Sequence, residues 1–192
     1  MSARVVVLAS GAGRLFEALL DAGLTPSVVG LVTDKPGARA VEVAESRGIP
    51  VRKIPLNDFG SRDLWQSELL RQVKELNPDL IVAAGFMRIL SPLFVNAFPG
   101  QIVNVHPSLL PLFPGAHAVR DAMEAGATVT GCTIHFIDEG VDTGEIIAQE
   151  QIEVIPGESE AELKERIRKA EFILLPQIVE QLLIERFGKG FQ

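Results

Sequence analysis

Asn104 and His106 stand two positions apart in Gly100-Gln-Ile-Val-Asn-Val-His106-Pro-Ser-Leu-Leu-Pro111, a stretch that is otherwise mostly apolar. In an extended segment, residues at i and i+2 leave the same face, so these two side chains point together. Each can donate a hydrogen bond to an oxygen that becomes anionic in a tetrahedral intermediate, which suits acyl transfer. A histidine also moves protons near neutral pH. The competing reading is a capping asparagine beside a core histidine whose ring is already satisfied. A metal centre fits less well, because His106, His117, His135 and Cys132 show no ligand spacing such as His-x-x-x-His.

Ser10-Gly-Ala-Gly13 follows an apolar run and precedes a helical pattern. Glycines there let the backbone turn tightly and aim N–H groups outward, while a helix N-terminus favours negative charge. The functional reading is a phosphate site; the alternative is a tight turn with nothing bound. A Walker loop is excluded, since no Gly-Lys-Ser/Thr follows. A dinucleotide fingerprint needs a third glycine, and Phe16 stands there instead. Asp34, after the second apolar run, can imitate the ribose-binding acid of that fingerprint, which keeps a nicotinamide enzyme as an alternative. A phosphate monoester suits the loop better than a pyrophosphate.

Asn104-Val-His106-Pro-Ser-Leu-Leu-Pro111 resembles the signature of the formyltetrahydrofolate-dependent formyltransferases. Further similar pieces occur in the expected order: Ser10-Gly-Ala-Gly13, Ala84-Gly-Phe-Met-Arg-Ile-Leu90, Phe113-Pro-Gly-Ala-His117 and His135-Phe-Ile-Asp-Glu-Gly-Val-Asp142-Thr-Gly. The similarity runs from about Val5 to Leu182 and is greatest to the branch that formylates glycinamide ribonucleotide in purine biosynthesis. The resemblance implies that Asn104, His106 and Asp142 form a catalytic trio. A carboxylate beside His106 would orient its ring and favour its positive charge, although the segment 138–144 by itself reads as a solvated acidic turn. The resemblance also implies that Gly13, Arg14 and Leu15 hold the substrate phosphate and that Glu171 meets its amine or ribose side. Arg14 and Leu15 stand where Ser and Asn are common in the family. Backbone N–H contacts survive that change, and Arg14 can add a charge contact.

The same resemblance gives the formyl donor a wall of Arg62, Met87, Arg88, Ile89 and Leu90, together with Asn104 and the loop Asp138, Glu139, Gly140, Val141 and Asp142. Ordinary core packing is the alternative for Met87, Ile89 and Leu90. For Arg62 it is a solvated helix end, and for Glu171 a side chain snorkelling to water. The co-substrate implied is 10-formyltetrahydrofolate, with no metal, and the Leu110–Pro111 bond is expected cis. Partners would be these two small molecules, with no nucleic acid and no membrane; a homodimer is an option. Methionyl-tRNA formyltransferases carry an additional C-terminal domain, and none is expected here. Sugar nucleotide formyltransferases remain as relatives with another acceptor. A non-catalytic nucleotide sensor would keep the glycine loop and need not keep the trio.

Several elements must position these residues. Residues 4–9, 27–33, 51–54 and 80–84 read as buried strands separated by helices near 14–22, 37–47 and 61–76. Continuous apolar strands between helices imply a parallel sheet covered on both faces. Ser91-Pro92 starts another helix, and residues 102–104 form a short fifth strand. His106 then lies at the C-terminal edge, where open α/β sheets bind ligands. The second half differs: residues 129–137 and 144–154 are longer strands joined by the acidic loop. Ser159 and Glu162 make a capping box for a last helix, whose apolar stripe is Leu163, Ile167, Ala170, Leu174, Ile178 and Leu182. Pro176 should kink it and Gly188 should end it. The expected fold is therefore one α/β domain over residues 1–192. It has a Rossmann-like, mostly parallel sheet, helices on both faces and an antiparallel element in the C-terminal half.

Composition narrows the field. Hydrophobic residues at 47% and charged residues at 22% exclude a disordered or collagen-like chain. The net charge of −7 argues against a general nucleic-acid binder, which needs a basic surface. No apolar run is long enough to cross a bilayer, and the opening MSARVVVLASG does not read as a signal peptide. With Cys132 as the single cysteine no internal disulfide can form, and a reducing cytoplasm is the simplest compartment.

Overall fold

The computed structural model describes residues 3–187. The elements are β1 (Val5–Leu8), α1 (Arg14–Leu19), β2 (Val28–Thr33), α2 (Arg39–Ser46), β3 (Val51–Lys53), α3 (Arg62–Glu75) and β4 (Leu80–Ala83). They are followed by α4 (Pro92–Ala97), β5 (Ile102–His106), α5 (Ala118–Glu124), β6 (Val129–Phe136), β7 (Ile146–Glu153) and α6 (Glu160–Phe187). The strands form a seven-stranded sheet in the order β3-β2-β1-β4-β5-β6-β7. The pairs from β3 through β5 are parallel, and β5–β6 and β6–β7 are antiparallel. This is the Rossmann-like arrangement expected from the alternating pattern.

Strand alternation sorts the core into two layers. Val5, Val7, Leu31, Leu80 and Val82 face Phe16 and Leu19 of α1, Ala40 and Ala44 of α2, and Leu175 and Val179 of α6. Val6, Leu8, Val32 and Ile81 face Trp65, Leu69 and Val73 of α3 and Phe94 of α4. Each central strand thus contributes to both layers, which is why its sequence is apolar without interruption. Trp65 also donates its indole N–H to the Ile54 carbonyl at 2.9 Å, satisfying its one polar atom in the core.

The caps read at Ser91 and Ser159 are present, and Ser61 caps α3 as well. The Ser61 hydroxyl accepts from Leu64 N and the Ser91 hydroxyl from Phe94 N. Ser159 and Glu162 bond reciprocally at the start of α6. The differences are local. The first helix stops at Leu19 and continues as a π turn, Leu20–Leu24, because Gly23 takes φ 95°. The strand expected at 102–104 extends to His106, held by antiparallel pairing that the residues alone do not reveal. Helix α5, whose Val119 and Ala122 are buried, lies in a stretch to which the sequence assigned no helix. The α6 stripe leaves Leu174 only partly buried and moves to Leu175, Val179 and Leu183, while the helix runs as one element through Pro176. The helix end expected at Gly188 falls outside the described residues. No helix among the described residues is long and apolar enough to cross a membrane.

Candidate active site

The chemistry-bearing residues meet at the C-terminal edge of β5. Ile102, Asn104 and His106 share one face of that strand, the face that Ile102 packs against α3 and α4. Antiparallel register sets Asn104 opposite His135, and His106 opposite Thr133. Asp142 comes from the loop between β6 and β7, and its Oδ2 lies 3.3 Å from His106 Nδ1. The same oxygen accepts from Gly115 N at 2.8 Å. Asp142 adopts φ 55°, a left-handed conformation that Asp tolerates better than most side chains. Gly140 shapes this loop: a Cβ there would lie 2.0 Å from Thr143 Oγ1. Asp138 ties the loop to itself, accepting from Gly140 N at 3.0 Å and from Thr143 Oγ1 at 2.8 Å. Glu139 accepts from Asn96 of α4 at 2.8 Å, which fastens the loop to the far wall.

His106 is buried, and both its ring nitrogens face oxygens. Nε2 lies 2.9 Å from the Phe113 carbonyl, and Nδ1 faces Asp142. Both nitrogens must carry hydrogen for both contacts to be hydrogen bonds. The segment bearing Phe113 is clamped from below. Ser108 donates to the Leu112 carbonyl at 2.6 Å, and Thr133 donates to the Ser108 carbonyl at 2.6 Å. Gln149 donates to the Leu110 carbonyl at 2.8 Å. Leu110–Pro111 is cis, as expected.

His135, to which the sequence reading gave no role beyond its place in a motif, lies against Asn104. Its Nδ1 is 2.8 Å from the Phe136 carbonyl and so carries the proton. Burial lowers its pKa below the usual histidine range, leaving the ring neutral at pH 7. Nε2 is then an acceptor, and Asn104 Nδ2 lies 3.2 Å away. This contact fixes which end of the Asn104 amide is which, leaving its second N–H free for a ligand. Alternation along β6 was the available signal; the register that brings His135 beside Asn104 was not.

The expected donor wall divides into exposed and supporting members. Met87 is 73% exposed and Ile89 62%, so core packing does not account for them. Leu90 is buried, and for it core packing is the answer. Val141, in the loop between β6 and β7, is exposed as well. Arg62 Nη2 and Gln66 Nε2 both donate to the Ile89 carbonyl, at 3.1 and 2.8 Å. Gln66, also missed in the sequence, accepts from Ser91 N at 3.2 Å and so braces both ends of the segment. Arg88 turns away from the cluster, its Nε bonded to Asp34 at 2.7 Å.

At the glycine loop, Gly13 caps α1 with φ 69°, and a Cβ would lie 2.8 Å from Ala40 Cα and Cβ. Leu15 packs on the core, so its N–H is what remains for a ligand. Arg14 points to Glu165 of α6 at 3.4 Å, an exposed pair. Glu171 is 8% exposed. Burial pushes its carboxyl up to about 7, opposed only by the charge of Arg168. Cys132 is buried and its thiol is pushed up to about 12, chiefly by desolvation, so it is no nucleophile. Among the described residues no group of three or more His, Cys, Asp or Glu is placed to hold a metal ion.

Comparison with known proteins places this geometry. The formyl transferase family model matches residues 3–179. The phosphoribosylglycinamide formyltransferase of Mycobacterium tuberculosis (strain H37Rv) is 46% identical over 182 residues, covering 94% of this chain and 85% of that protein. The trifunctional purine biosynthetic protein adenosine-3 of Drosophila melanogaster is 45% identical over 186 residues; the match covers 94% of this chain but only 14% of that much longer protein. The crystal structure of phosphoribosylglycinamide formyltransferase from Bacillus halodurans superposes with a TM-score of 0.90 at 41% identity, covering 98% of this chain and 100% of that one.

Proposed function

The chain belongs to the formyl transferase family, and from that premise we propose that it transfers a formyl group from 10-formyltetrahydrofolate to the amino group of glycinamide ribonucleotide, a step of purine biosynthesis. The observation that carries the reading is the convergence of Asn104, His106 and Asp142 beside an exposed apolar wall. Relatives that are named for this activity support the choice of acceptor.

In this mechanism the neutral substrate amine attacks the formyl carbon. The free N–H of Asn104 and the Nε2–H of His106, held here by the Phe113 carbonyl, turn to the oxygen as it becomes anionic. Asp142 fixes the His106 ring and supplies the compensating charge. Water relays the proton from the attacking nitrogen to the departing folate nitrogen. Met87 and Ile89 suit the flat pterin face, and backbone groups of residues 87–90 suit its amide-like edge. Arg62 holds this wall through Ile89, and Arg88 contributes its backbone to it. The 138–142 loop closes the other side. The substrate phosphate rests on the backbone of Gly13, Arg14 and Leu15, with Glu171 toward the amine or ribose. The enzyme works in the cytoplasm on small molecules, without nucleic acid, membrane or metal, as a monomer or homodimer.

The test is turnover by the purified protein with 10-formyltetrahydrofolate and glycinamide ribonucleotide, with methionyl-tRNA and water as competing acceptors. Formylation of glycinamide ribonucleotide alone is the expected outcome. Preference for tRNA, or hydrolysis of the donor without transfer, would replace the acceptor named here.

A further inference from the structure

Between β4 and α4 the chain from Gly85 to Ser91 forms neither helix nor strand. Residues 86–90 make no backbone–backbone hydrogen bond among the described residues. Yet this stretch holds Met87 and Ile89 out in water, where apolar side chains forfeit the gain of burial. Groups outside the segment must therefore keep it in that shape.

Those groups come from three places. The Ser10 hydroxyl accepts from Met87 N at 3.0 Å, and Ser10 N donates to the Gly85 carbonyl at 3.2 Å. Asp34 ties the side chain of Arg88, which leaves the backbone there free to turn. At the far end Gln66 takes two backbone groups with one amide: Nε2 donates to the Ile89 carbonyl and Oε1 accepts from Ser91 N. Reversing the amide would set donor against donor and acceptor against acceptor, so the two contacts fix one orientation. The two peptide groups flank Leu90. Fixing them sends Leu90 into the layer with Trp65 and Phe94 and leaves Ile89 on the outer side. Arg62 shares the Ile89 carbonyl, but its bond is exposed and water can stand in for it. Gln66 is buried, so losing its amide leaves the Ser91 N–H without a ready substitute.

We propose, on the strength of the formyl-transfer reading, that Gln66 is a positioning residue for the formyl donor, holding the Met87–Leu90 wall in the shape the donor meets. Without the amide, Ile89 gains by folding down onto the core, and the wall is lost before the donor arrives. The reacting atoms lie elsewhere, at Asn104 and His106, so the effect falls on donor binding rather than on the chemical step.

Gln66→Met tests this, since methionine is also unbranched and of similar size but offers neither bond. The readouts are equilibrium titration with tetrahydrofolate and steady-state kinetics with 10-formyltetrahydrofolate and glycinamide ribonucleotide. The dissociation constant for tetrahydrofolate and KM for the donor should each rise roughly tenfold, the equivalent of one net hydrogen bond. KM for glycinamide ribonucleotide and kcat should stay within about twofold, because neither the acceptor nor the transition state touches the segment. Amide hydrogen exchange at Ser91 should quicken while exchange in β1 and β4 does not. Gln66→Glu is the second variant: it keeps the acceptor for Ser91 N but sets a carboxylate oxygen against the Ile89 carbonyl, and should weaken donor binding in the same direction. Val73→Ala, about two turns along α3 in the same core layer, loosens the helix without touching the segment and should leave donor affinity as it is. Unchanged donor affinity in both Gln66 variants would overturn the proposal. So would an equal loss in Val73→Ala, or a fall in kcat with both KM values rising alike, since either would make the role one of packing. A parent that neither binds tetrahydrofolate nor turns over would sink the functional reading as well, whereas a parent that does both puts Gln66 alone at stake.

Discussion

The glycine loop and the Asn104–His106–Asp142 cluster lie on the same rim but are built in opposite ways. The loop is local. Gly13 must be glycine because its φ of 69° and the contact with Ala40 exclude a Cβ, and the groups proposed to meet the phosphate there are backbone N–H. The cluster is assembled from β5, β6 and a distant loop, and every working group except the Gly115 N–H and the Phe113 and Phe136 carbonyls is a side chain. Backbone sites tolerate side-chain replacement, so Arg14 and Leu15 can stand where the family often has others. Side-chain sites do not tolerate it, because each member also holds its neighbour.

That contrast predicts its largest effect at the cluster. Asp142→Asn keeps the shape and the bond from Gly115 N, but loses the charge facing His106. It also puts an amide N–H near His135 Nε2, which Asp142 Oδ1 now approaches at 3.7 Å, so the new donor competes with Asn104. Turnover should fall by about a hundred- to thousandfold, or about 2.7–4 kcal/mol, the usual cost of losing one oxyanion donor. His106→Ala should cost about as much, and the double variant little more, since the pair acts as a unit. Additive losses in steady-state kinetics would show that the two residues work separately, and near-normal turnover of Asp142→Asn would break the side-chain account.

How much of this was legible follows the same division. Periodicity and turn chemistry are local, so the alternation of strands and helices, the glycine loop and the caps at Ser91 and Ser159 could be read directly. Antiparallel register is not local. His135 could therefore not be paired with Asn104, nor Gln66 with the Ile89 carbonyl, from spacing alone. Helix α5 was missed because it is short and follows a Pro/Gly-rich segment that reads as loop. Asp142 was recognised only by resemblance, since an acidic loop is by default solvated.

Glu171 sharpens the comparison, because it is a buried carboxyl that, among the described residues, has no hydrogen-bond or ion-pair partner such as Asp142 has in His106. Its folded pKa of about 7 lies above the ordinary carboxyl value of 4.5. Between those values the folded chain keeps a proton that the unfolded chain releases, so this group lowers stability as pH rises through the window. Above pH 7 the full penalty applies. Glu171→Gln should therefore be more stable than the parent at pH 8, by up to about 3 kcal/mol, with the gain vanishing near pH 4.5. Urea unfolding at the two pH values measures it. Asp142→Asn should show no such gain, since its carboxylate is held by Gly115 N–H and faces His106. Equal stability of Glu171→Gln and parent at pH 8 would mean that donors in solution reach Glu171.

The smallest effect should come from Arg14. Its ion pair with Glu165 is long and exposed, and Glu165 has a closer partner in Arg168 at 2.5 Å. Exposed pairs contribute only about 0–1 kcal/mol, so Arg14→Ala should leave stability within that range. If the phosphate is held by backbone N–H at the start of α1, the substitution should also leave kcat unchanged and raise KM for glycinamide ribonucleotide no more than about threefold, because an exposed cation contributes little beyond what water already screens. The residual effect should shrink as salt is added, which separates long-range attraction from a direct contact. A KM increase of about tenfold or more that persists in high salt would instead make the guanidinium a direct phosphate ligand. The glycine loop would then depend on a side chain as the cluster does, and the replacement of the family's common Ser by Arg14 would be a change in how the substrate is held.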